Sequence, residues 1–249
     1  SSDLGRVVTK RARQVPVQSV PYTSGRGPVG NSDVVPVYAP RPDVAAYVKT
    51  YTDAAKAFSS RSAGLLAAPA SGQSLAMLIA DAQLAATRTA GAQIAFMNPF
   101  GVRAPLTPGA GGALTFGDIY AVQPFNNSLV TQSLTGAELK ALLEQGFDAI
   151  GPEQALIPSA GFTYTYDKSR PAGQRIVAME LNGQPVDPAG MYRVTTNSFL
   201  AQGGDSFTVL SGQRTAQIGA SDLEALEAWL KGTAPRAVPA EPRVREAGR

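Results

Sequence analysis

The 249-residue sequence contains no cysteine and no histidine, and only one tryptophan. Without cysteine the chain has no disulfide, no thiolate metal site and no thiol nucleophile. Without histidine it has no Ser-His-Asp triad, no imidazole general base and none of the mixed histidine and aspartate sites by which hydrolases commonly hold two metal ions. We therefore expect that this chain does not carry out hydrolytic chemistry by itself.

The hydropathy and charge patterns exclude two further classes of protein. No run of about 18 or more apolar residues could span a bilayer, and the first residues, Ser-Ser-Asp-Leu-Gly-Arg, lack the apolar core of a secretory signal. Lysine and arginine number 22 against 19 acidic residues, and the basic residues crowd towards the two ends of the chain. Because solvated ends explain that crowding better than a binding surface does, we expect no membrane span and no nucleic-acid polymer as a partner.

The chain has enough apolar residues to form a core, since 44% of its residues are hydrophobic. Residues 1–42 carry only weak strand patterns, at 6–9 and 34–38, and we interpret them as the trailing edge of a preceding domain. Apolar residues recurring at three- and four-residue steps then predict a linker helix at Asp43–Ser59. Residues 233–249 have repeated prolines and no apolar face, which predicts a flexible tail.

Between these flanks, in residues 43–232, helical and extended patterns alternate. The predicted helices after the linker are 71–86, 135–147 and 221–231, and the predicted strands are 93–97, 128–134, 162–166, 175–181 and 192–196. Asn182-Gly183 predicts a tight turn because both residues tolerate positive φ. We expect an α+β fold, in which a mixed β-sheet is flanked by helices.

The first candidate site segment is the buried strand that leads into Asn98-Pro99-Phe100-Gly101 and then presents Arg103. Ligands are often held at the ends of strands in sheets that helices flank. A guanidinium at such a position can donate paired hydrogen bonds to a phosphate or a carboxylate. The alternative is that Arg103 tethers its own loop or pairs with a nearby acidic residue.

Two further turns each combine an aromatic ring with a polar group, which is the chemistry needed to hold a nucleoside. In the first, Phe125 could stack on a base while Asn127 reads a base edge. In the second, Phe199 is followed by Gly204 and Asp205, whose carboxylate could accept hydrogen bonds from ribose hydroxyls. Taken singly, Phe125 could equally be a core residue at a strand boundary, and Gly-Gly-Asp could be an ordinary turn.

In combination these segments resemble a known family, the carboxy-terminal domain of the 5′-nucleotidases, which includes bacterial UDP-sugar hydrolases and cyclic-nucleotide phosphodiesterases. The resemblance covers residues 43–232. The segments that carry it, in order, are Ile79-Ala80-Asp81-Ala82, Asn98-Pro99-Phe100-Gly101-Val102-Arg103, Phe116-Gly117-Asp118-Ile119-Tyr120 with Gln123-Pro124-Phe125-Asn126-Asn127, Leu134-Thr135-Gly136-Ala137-Glu138-Leu139, and Asn197-Ser198-Phe199 with Gly203-Gly204-Asp205-Ser206-Phe207.

The resemblance implies a role for each candidate residue. Phe125 and Phe199 would enclose the base, Asn127 would meet its edge, Asp205 would hold the ribose hydroxyls and Arg103 a phosphate. The implied set of substrate-binding residues is completed by Asn98 and Gly204. Two positions depart from the family pattern, because Phe100 and Asn126 stand where the family usually has glycine. Phe100 could therefore present a ring to the cleft.

The resemblance also implies a larger parent protein. In the family, an amino-terminal metallophosphatase domain holds two divalent metal ions and hydrolyses the phosphate, whereas the carboxy-terminal domain recognises the nucleotide. We therefore expect no cofactor in this chain, and we interpret residues 1–42 as the trailing segment of that preceding domain. The parent would be periplasmic or secreted. Some members hold a diphosphate with further arginines, for which Arg61 is the nearest candidate.

Two alternatives remain open at this stage. The chain could be a stand-alone nucleoside-binding module that never had a catalytic partner. It could also be an autonomous enzyme that uses carboxylates such as Asp81, Asp118 and Asp205 as metal ligands or as acid and base. Against the second alternative, Asp81 lies on a helix predicted to be buried, and Asp118 is a candidate helix cap.

Overall fold

The computed structural model describes residues 2–3, 6–7, 9–12, 22–24, 27–32, 34, 38–148, 153–212 and 215–248. The chain divides into two units, Ser1–Ala55 and Lys56–Arg249, and each is described by itself. Among the described residues, no helix is long and apolar enough to cross a membrane.

The first unit contains two short antiparallel pairs and most of one helix. The strands are β1 (Ser2–Asp3) with β2 (Arg6–Val7), and β3 (Tyr22–Ser24) with β4 (Gly27–Val29). Helix α1 (Pro42–Ser59) confirms the helix expected from residue 43. The strand expected at 34–38 lies largely outside the described residues. The apolar side chains that define the face of α1 are exposed rather than buried, and they include Val44, Tyr47, Val48 and Tyr51.

The second unit contains the remaining strands and helices, joined by short 3₁₀ turns. In chain order they are β5 (Ser62–Leu65), α2 (Gly72–Thr87), β6 (Ile94–Met97), β7 (Ala113–Thr115), α3 (Phe116–Val122), β8 (Ser128–Thr135), α4 (Gly136–Asp148), β9 (Ile157–Pro158), β10 (Phe162–Tyr166), β11 (Ile176–Leu181), β12 (Gln184–Pro185), β13 (Met191–Asn197), α5 (Ser198–Ala201), β14 (Gln217–Ser221), α6 (Asp222–Leu230) and β15 (Val244–Glu246).

Two mixed sheets organise this unit. The five-stranded sheet has the order β14-β8-β13-β6-β9, in which β13 is parallel to β6 and every other pair is antiparallel. The four-stranded sheet has the order β12-β11-β10-β15, with β15 parallel to β10. Asn182 and Gly183 form the predicted turn between β11 and β12, with φ of +53° and +75°. The architecture confirms the predicted α+β fold.

Alternation along β6 directs its side chains into cores on opposite faces of the five-stranded sheet. Ile94 and Phe96 belong to a core that includes α4 and the four-stranded sheet. Met97 belongs to the other core, which is built from the apolar residues of α2, α3 and α6. Both faces of the sheet at β6 are therefore packed against other elements.

A flexible tail was expected in residues 233–249, but the described part of it, residues 233–248, is packed rather than loose. Strand β15 adds to the edge of β10, and Arg243 forms a salt bridge with Asp81 of α2 at 2.7 Å. Arg243 also donates a hydrogen bond to the carbonyl of Pro158 at 3.0 Å. The expectation was wrong because a three-residue parallel strand and one buried ion pair leave no periodic apolar pattern in the sequence.

Candidate functional site

Four strand ends of the five-stranded sheet meet at one edge. Strands β6, β13 and β14 finish there, and β8 begins there, because it runs antiparallel to β13 and β14. In the register of the sheet, Asn197 pairs with Leu129, and Ser221 pairs with Ser128. The topology therefore gathers the residues that follow β6, β13 and β14 and those that precede β8.

These segments surround a cavity of about 250 Å³. Six of the seven predicted site residues line it, and only Gly204 does not. The full lining is Met97, Asn98, Phe100, Gly101, Arg103, Phe125, Asn127, Asn197, Phe199, Asp205 and Asp222. The cavity thus brings together the turn that contains Phe125 and the turn that contains Phe199. From the sequence, only the family resemblance indicated that these two turns lie close together.

Three aromatic rings at the cavity are close to half exposed. The exposed fractions are 43% for Phe100, 48% for Phe125 and 46% for Phe199. Within the described part of the chain, none of the three packs against another ring. Phe125 is therefore not a core residue, and Phe100 does present its ring to the cleft. Apolar rings that remain open to solvent around a concavity are typical of a ligand site.

Local backbone geometry fixes two of these rings. Phe199 lies on the short helix α5, whose first turn is capped by Asn197, because the Asn197 side-chain oxygen accepts a hydrogen bond from the backbone N–H of Leu200 at 2.9 Å. Phe125 lies between Pro124 and Asn126, and Asn126 has a φ of +52°. Asparagine adopts this left-handed conformation more readily than most residues, so Asn126 can form this turn without glycine.

Gly204 packs closely against the ring of Phe199. A Cβ placed on Gly204 would stand 2.6 Å from both Cε1 and Cζ of Phe199 and 2.6 Å from its carbonyl oxygen. No real Cβ approaches atoms so closely, so any larger residue would displace the ring or the backbone. Gly204 is therefore a packing requirement for Phe199 and does not line the cavity itself.

A chain of hydrogen bonds connects Asn197, Asn98 and Asp205. The side-chain N–H of Asn197 donates to Oδ1 of Asn98 at 3.1 Å, and Nδ2 of Asn98 donates to Oδ2 of Asp205 at 2.9 Å. Both asparagines are 3% exposed. Asp205 is partly exposed, has a φ of +54°, and its Oδ1 has no partner among the described residues. The arrangement fixes one carboxylate oxygen and leaves the other available to a ligand.

These hydrogen bonds give Asn98, which is expected to bind substrate, a second role. Each end of its amide is already engaged by a protein partner. Through its hydrogen bond to Asp205, Asn98 orients that carboxylate, and it also lines the cavity itself. Asn197, which completes the chain, was not predicted as a site residue, although its position next to Phe199 at a strand end was a usable signal.

Asn127 is held between the amino-terminal ends of two helices. Its Nδ2 donates to Oδ2 of Asp222 at 3.2 Å, and its carbonyl accepts from the backbone N–H of Asp222 at 2.8 Å. On the other side, Ser198 Oγ donates to Oδ1 of Asn127 at 3.4 Å. Sequence analysis missed Asp222, because its contact with Asn127 joins residues that lie 95 positions apart.

Asp222 is a buried carboxylate, with 1% of its surface exposed. Burial raises the pKa of Asp222 to about 6 from its usual 3.8, and the hydrogen bond from Asn127 offsets only part of that rise. Its Oδ1 is buried and has no hydrogen-bond partner. An acid of this kind changes its charge close to neutral pH.

Arg103 provides the positive charge of the cavity. Its guanidinium carbon lies 5.5 Å from the centroid of the Phe125 ring, a cation–π distance, and Nη1 donates to the carbonyl of Phe100 at 3.4 Å. The side chain is exposed, and among the described residues no carboxylate pairs with it. Arg103 therefore contacts its own loop, as one alternative expected, but no acidic residue pairs with it among those described, and its charge is available to an anion.

Three other candidate residues have structural partners. Asp81 pairs with Arg243, and Asp118 accepts hydrogen bonds from Thr115 in a capping box at the start of α3, as its N3 residue rather than its N-cap. Arg61 forms a bidentate pair with Glu227 and lies over the ring of Phe116, so it is not directed at the cavity. Among the described ranges, no group of three or more acidic side chains could hold a metal ion.

Comparison with known proteins gives a consistent result. The sequence profile of the "5'-nucleotidase, C-terminal domain" matches residues 49–212. The chain is 33% identical over 181 residues to the trifunctional nucleotide phosphoesterase protein YfkN of Bacillus subtilis, covering 69% of this chain and 12% of that protein. It is 29% identical over 159 residues to the protein UshA of Escherichia coli, covering 64% of this chain and 27% of that protein.

Solved structures agree with the sequence comparisons. The crystal structure of a 5′-nucleotidase precursor from Thermus thermophilus superposes with a TM-score of 0.74 at 33% identity, and it covers 85% of this chain and 44% of that one. The chain therefore spans less than half the length of the relatives to which it was compared. Because the family profile covers more than half of the chain, this protein belongs to the 5′-nucleotidase family, as a carboxy-terminal domain.

Proposed function

We propose that this domain recognises the nucleoside part of a nucleotide. In the proposal, the base stacks between Phe125 and Phe199, Asn127 reads the base edge, Asp205 accepts hydrogen bonds from the ribose hydroxyls, and Arg103 pairs with a phosphate. The observation that carries the proposal is that all five side chains line one cavity, although they come from three separate segments of the chain.

Physical chemistry supports each contact. Stacking of a base on an aromatic ring contributes about 1–3 kcal/mol and does not depend on the identity of the base. The available Oδ1 of Asp205 is an acceptor only, which suits ribose hydroxyls. At about 250 Å³ the cavity is slightly smaller than most small-molecule pockets, which measure roughly 300–1,000 Å³. It therefore suits a base and sugar better than a whole nucleotide, with the phosphate lying outside near the exposed Arg103.

We further propose that hydrolysis belongs to a separate part of the parent protein. The chain has no histidine and spans only 44% of the 5′-nucleotidase precursor that it resembles. In this proposal an amino-terminal metallophosphatase domain holds two divalent metal ions and acts on the nucleotide that this domain presents, in nucleotide catabolism. The family resemblance also supports a periplasmic or secreted parent.

Calorimetric titration of the chain with adenosine and AMP tests the proposal. Both ligands are expected to bind, and AMP more tightly, because only AMP engages Arg103. Ribose 5-phosphate, which lacks the base, is the matched control and is expected to bind far more weakly. Absence of binding by both adenosine and AMP would overturn the proposal. Sustained release of phosphate from AMP by this chain with added divalent metal would overturn the assignment of hydrolysis to another domain.

A further inference from the structure

Asp222 occupies an unusual position for a helix-terminal acid. It follows the N-cap residue Ser221 at the start of α6, yet it is buried and lines the cavity. Asn127 is bound to it twice, through a side-chain hydrogen bond and a backbone hydrogen bond. Because the second bond fixes the Asn127 backbone, the side-chain bond controls only how the Asn127 amide is turned.

We propose that Asp222 is a positioning residue that orients the Asn127 amide and thereby makes the cavity select amino-substituted purines over oxo-substituted purines. This inference rests on the proposed function, because it assigns a base preference to the same site. The added residue is Asp222, which acts on the base through its hydrogen bond with Asn127.

The selection follows from donor and acceptor chemistry. An ionised carboxylate can only accept hydrogen bonds, so it requires Asn127 to turn its NH₂ group towards Asp222. The Asn127 Oδ1 then faces Ser198 Oγ, at the long distance of 3.4 Å, and retains accepting capacity. Asn127 thus offers an acceptor and its second N–H as a donor, which matches the amino group and adjacent ring nitrogen of adenine. An oxo-substituted purine presents an acceptor where adenine presents a donor.

Protonation of Asp222 removes this constraint. A protonated carboxyl can donate a hydrogen bond, so the Asn127 amide can turn over, which exchanges the positions of its donor and its acceptor towards the ligand. Burial raises the pKa of Asp222 to about 6, and the transition therefore falls in an accessible range. Six other charged groups lie on the elements around Asp222, and none of them forms a hydrogen bond with it. They are Asp81 on α2, Asp118 on α3, Glu224 and Glu227 on α6, and Arg103 and Asp205 at the cavity.

The test is calorimetric titration of the wild-type chain with adenosine and with inosine at about pH 7.5 and about pH 5, on either side of the Asp222 transition. Both nucleosides are neutral over this range, so any change in their relative affinity arises in the protein. At the higher pH, adenosine is expected to bind about tenfold more tightly than inosine, and at the lower pH that ratio is expected to fall towards one.

Two variants complete the experiment. Asp222→Asn is expected to give a ratio that does not change with pH, whereas Glu224→Gln, on the same helix turn but outside the cavity, is expected to behave as the wild type. The wild-type ratio needs no variant, so the test stands even if Asp222→Asn fails to fold. A wild-type ratio that is constant with pH overturns this inference alone. Failure of the wild type to bind either nucleoside overturns both this inference and the proposed function.

Discussion

The ring of Phe199 lies directly against the backbone of Gly204, so close that a Cβ on Gly204 would stand 2.6 Å from two ring carbons. One glycine therefore sets the position of one wall of the cavity. A residue outside the cavity lining therefore affects the shape of the cavity.

Replacing Gly204 with alanine is expected to displace Phe199. The clash should destabilise the fold by about 1–3 kcal/mol, as overpacking does, and should weaken adenosine binding. Urea unfolding and calorimetric titration measure the two effects. Gly219→Ala is the control, because its Cβ would meet only ordinary contacts at 3.8 Å or more. Unchanged adenosine affinity in a folded Gly204→Ala variant would show that the Phe199 ring is not a wall of the binding site.

Replacing Asp205 with asparagine is expected to weaken adenosine binding by about 1.5–3 kcal/mol, because a charged acceptor for the ribose hydroxyls is lost. Binding of 2′,3′-dideoxyadenosine, which lacks those hydroxyls, is expected to change little. Calorimetric titration of both ligands against both proteins gives the comparison. Equal losses for the two ligands would mean that Asp205 supports the loop without contacting the sugar.

The Arg61–Glu227 pair predicts a specific dependence of stability on pH. Hydrogen bonds from Arg61, reinforced by Lys231, lower the pKa of Glu227 to about 2 from 4.5. A lowered pKa stabilises the fold above the unfolded-state value of about 4.5, and that contribution is lost as the pH falls towards about 2. Glu227→Gln is therefore expected to cost about 1–3 kcal/mol at neutral pH, with the difference shrinking through that acidic range.

Urea unfolding of wild type and Glu227→Gln from neutral pH to about pH 2 measures this difference. Glu153→Gln is the matched control, since Glu153 pairs with Lys168 at an exposed position where such pairs contribute about 0–1 kcal/mol. A Glu227→Gln penalty that stays constant with pH would show that Glu227 contributes by packing alone.

Arg243 is expected to anchor the carboxy-terminal segment. Arg243→Ala leaves Asp81 as an unpaired, largely buried carboxylate, since only 12% of its side chain is exposed. Loss of one partner of such a pair costs about 3–5 kcal/mol, which thermal and urea unfolding would detect. Arg245→Ala, at an exposed position in the strand β15 that follows Arg243, is expected to change stability by no more than about 0.5 kcal/mol. Equal effects of the two substitutions would argue against the anchor.

Local sequence patterns were sufficient to predict most of the longer helices and strands of the second unit. Strand β10 was predicted with its observed bounds, and α2, α4 and α6 to within a few residues, because apolar periodicity and capping residues act over single turns. Strand β15 and the pairing of β5 with β7 were missed. Each is a short segment stabilised by a partner far away in sequence, and the segment itself has no distinctive pattern.

The candidate site was likewise predicted only in part from the sequence. The exposed rings and Asp205 lie in turns whose residue types are unusual enough to be noticed, and the family resemblance assigned them roles. Asp222 could not be found this way, because an acid after a serine at a helix start ordinarily caps the helix in solvent. Only the fold buries it beside Asn127.

Substitution of the two rings tests the central claim most directly. Adenosine is titrated into wild type, Phe125→Ala and Phe199→Ala, with Tyr47→Ala on α1 as the control for loss of an exposed ring. Each phenylalanine substitution is expected to weaken binding by about 1–3 kcal/mol, and the tyrosine substitution to leave affinity unchanged. Wild-type affinity in both folded phenylalanine variants would contradict the account.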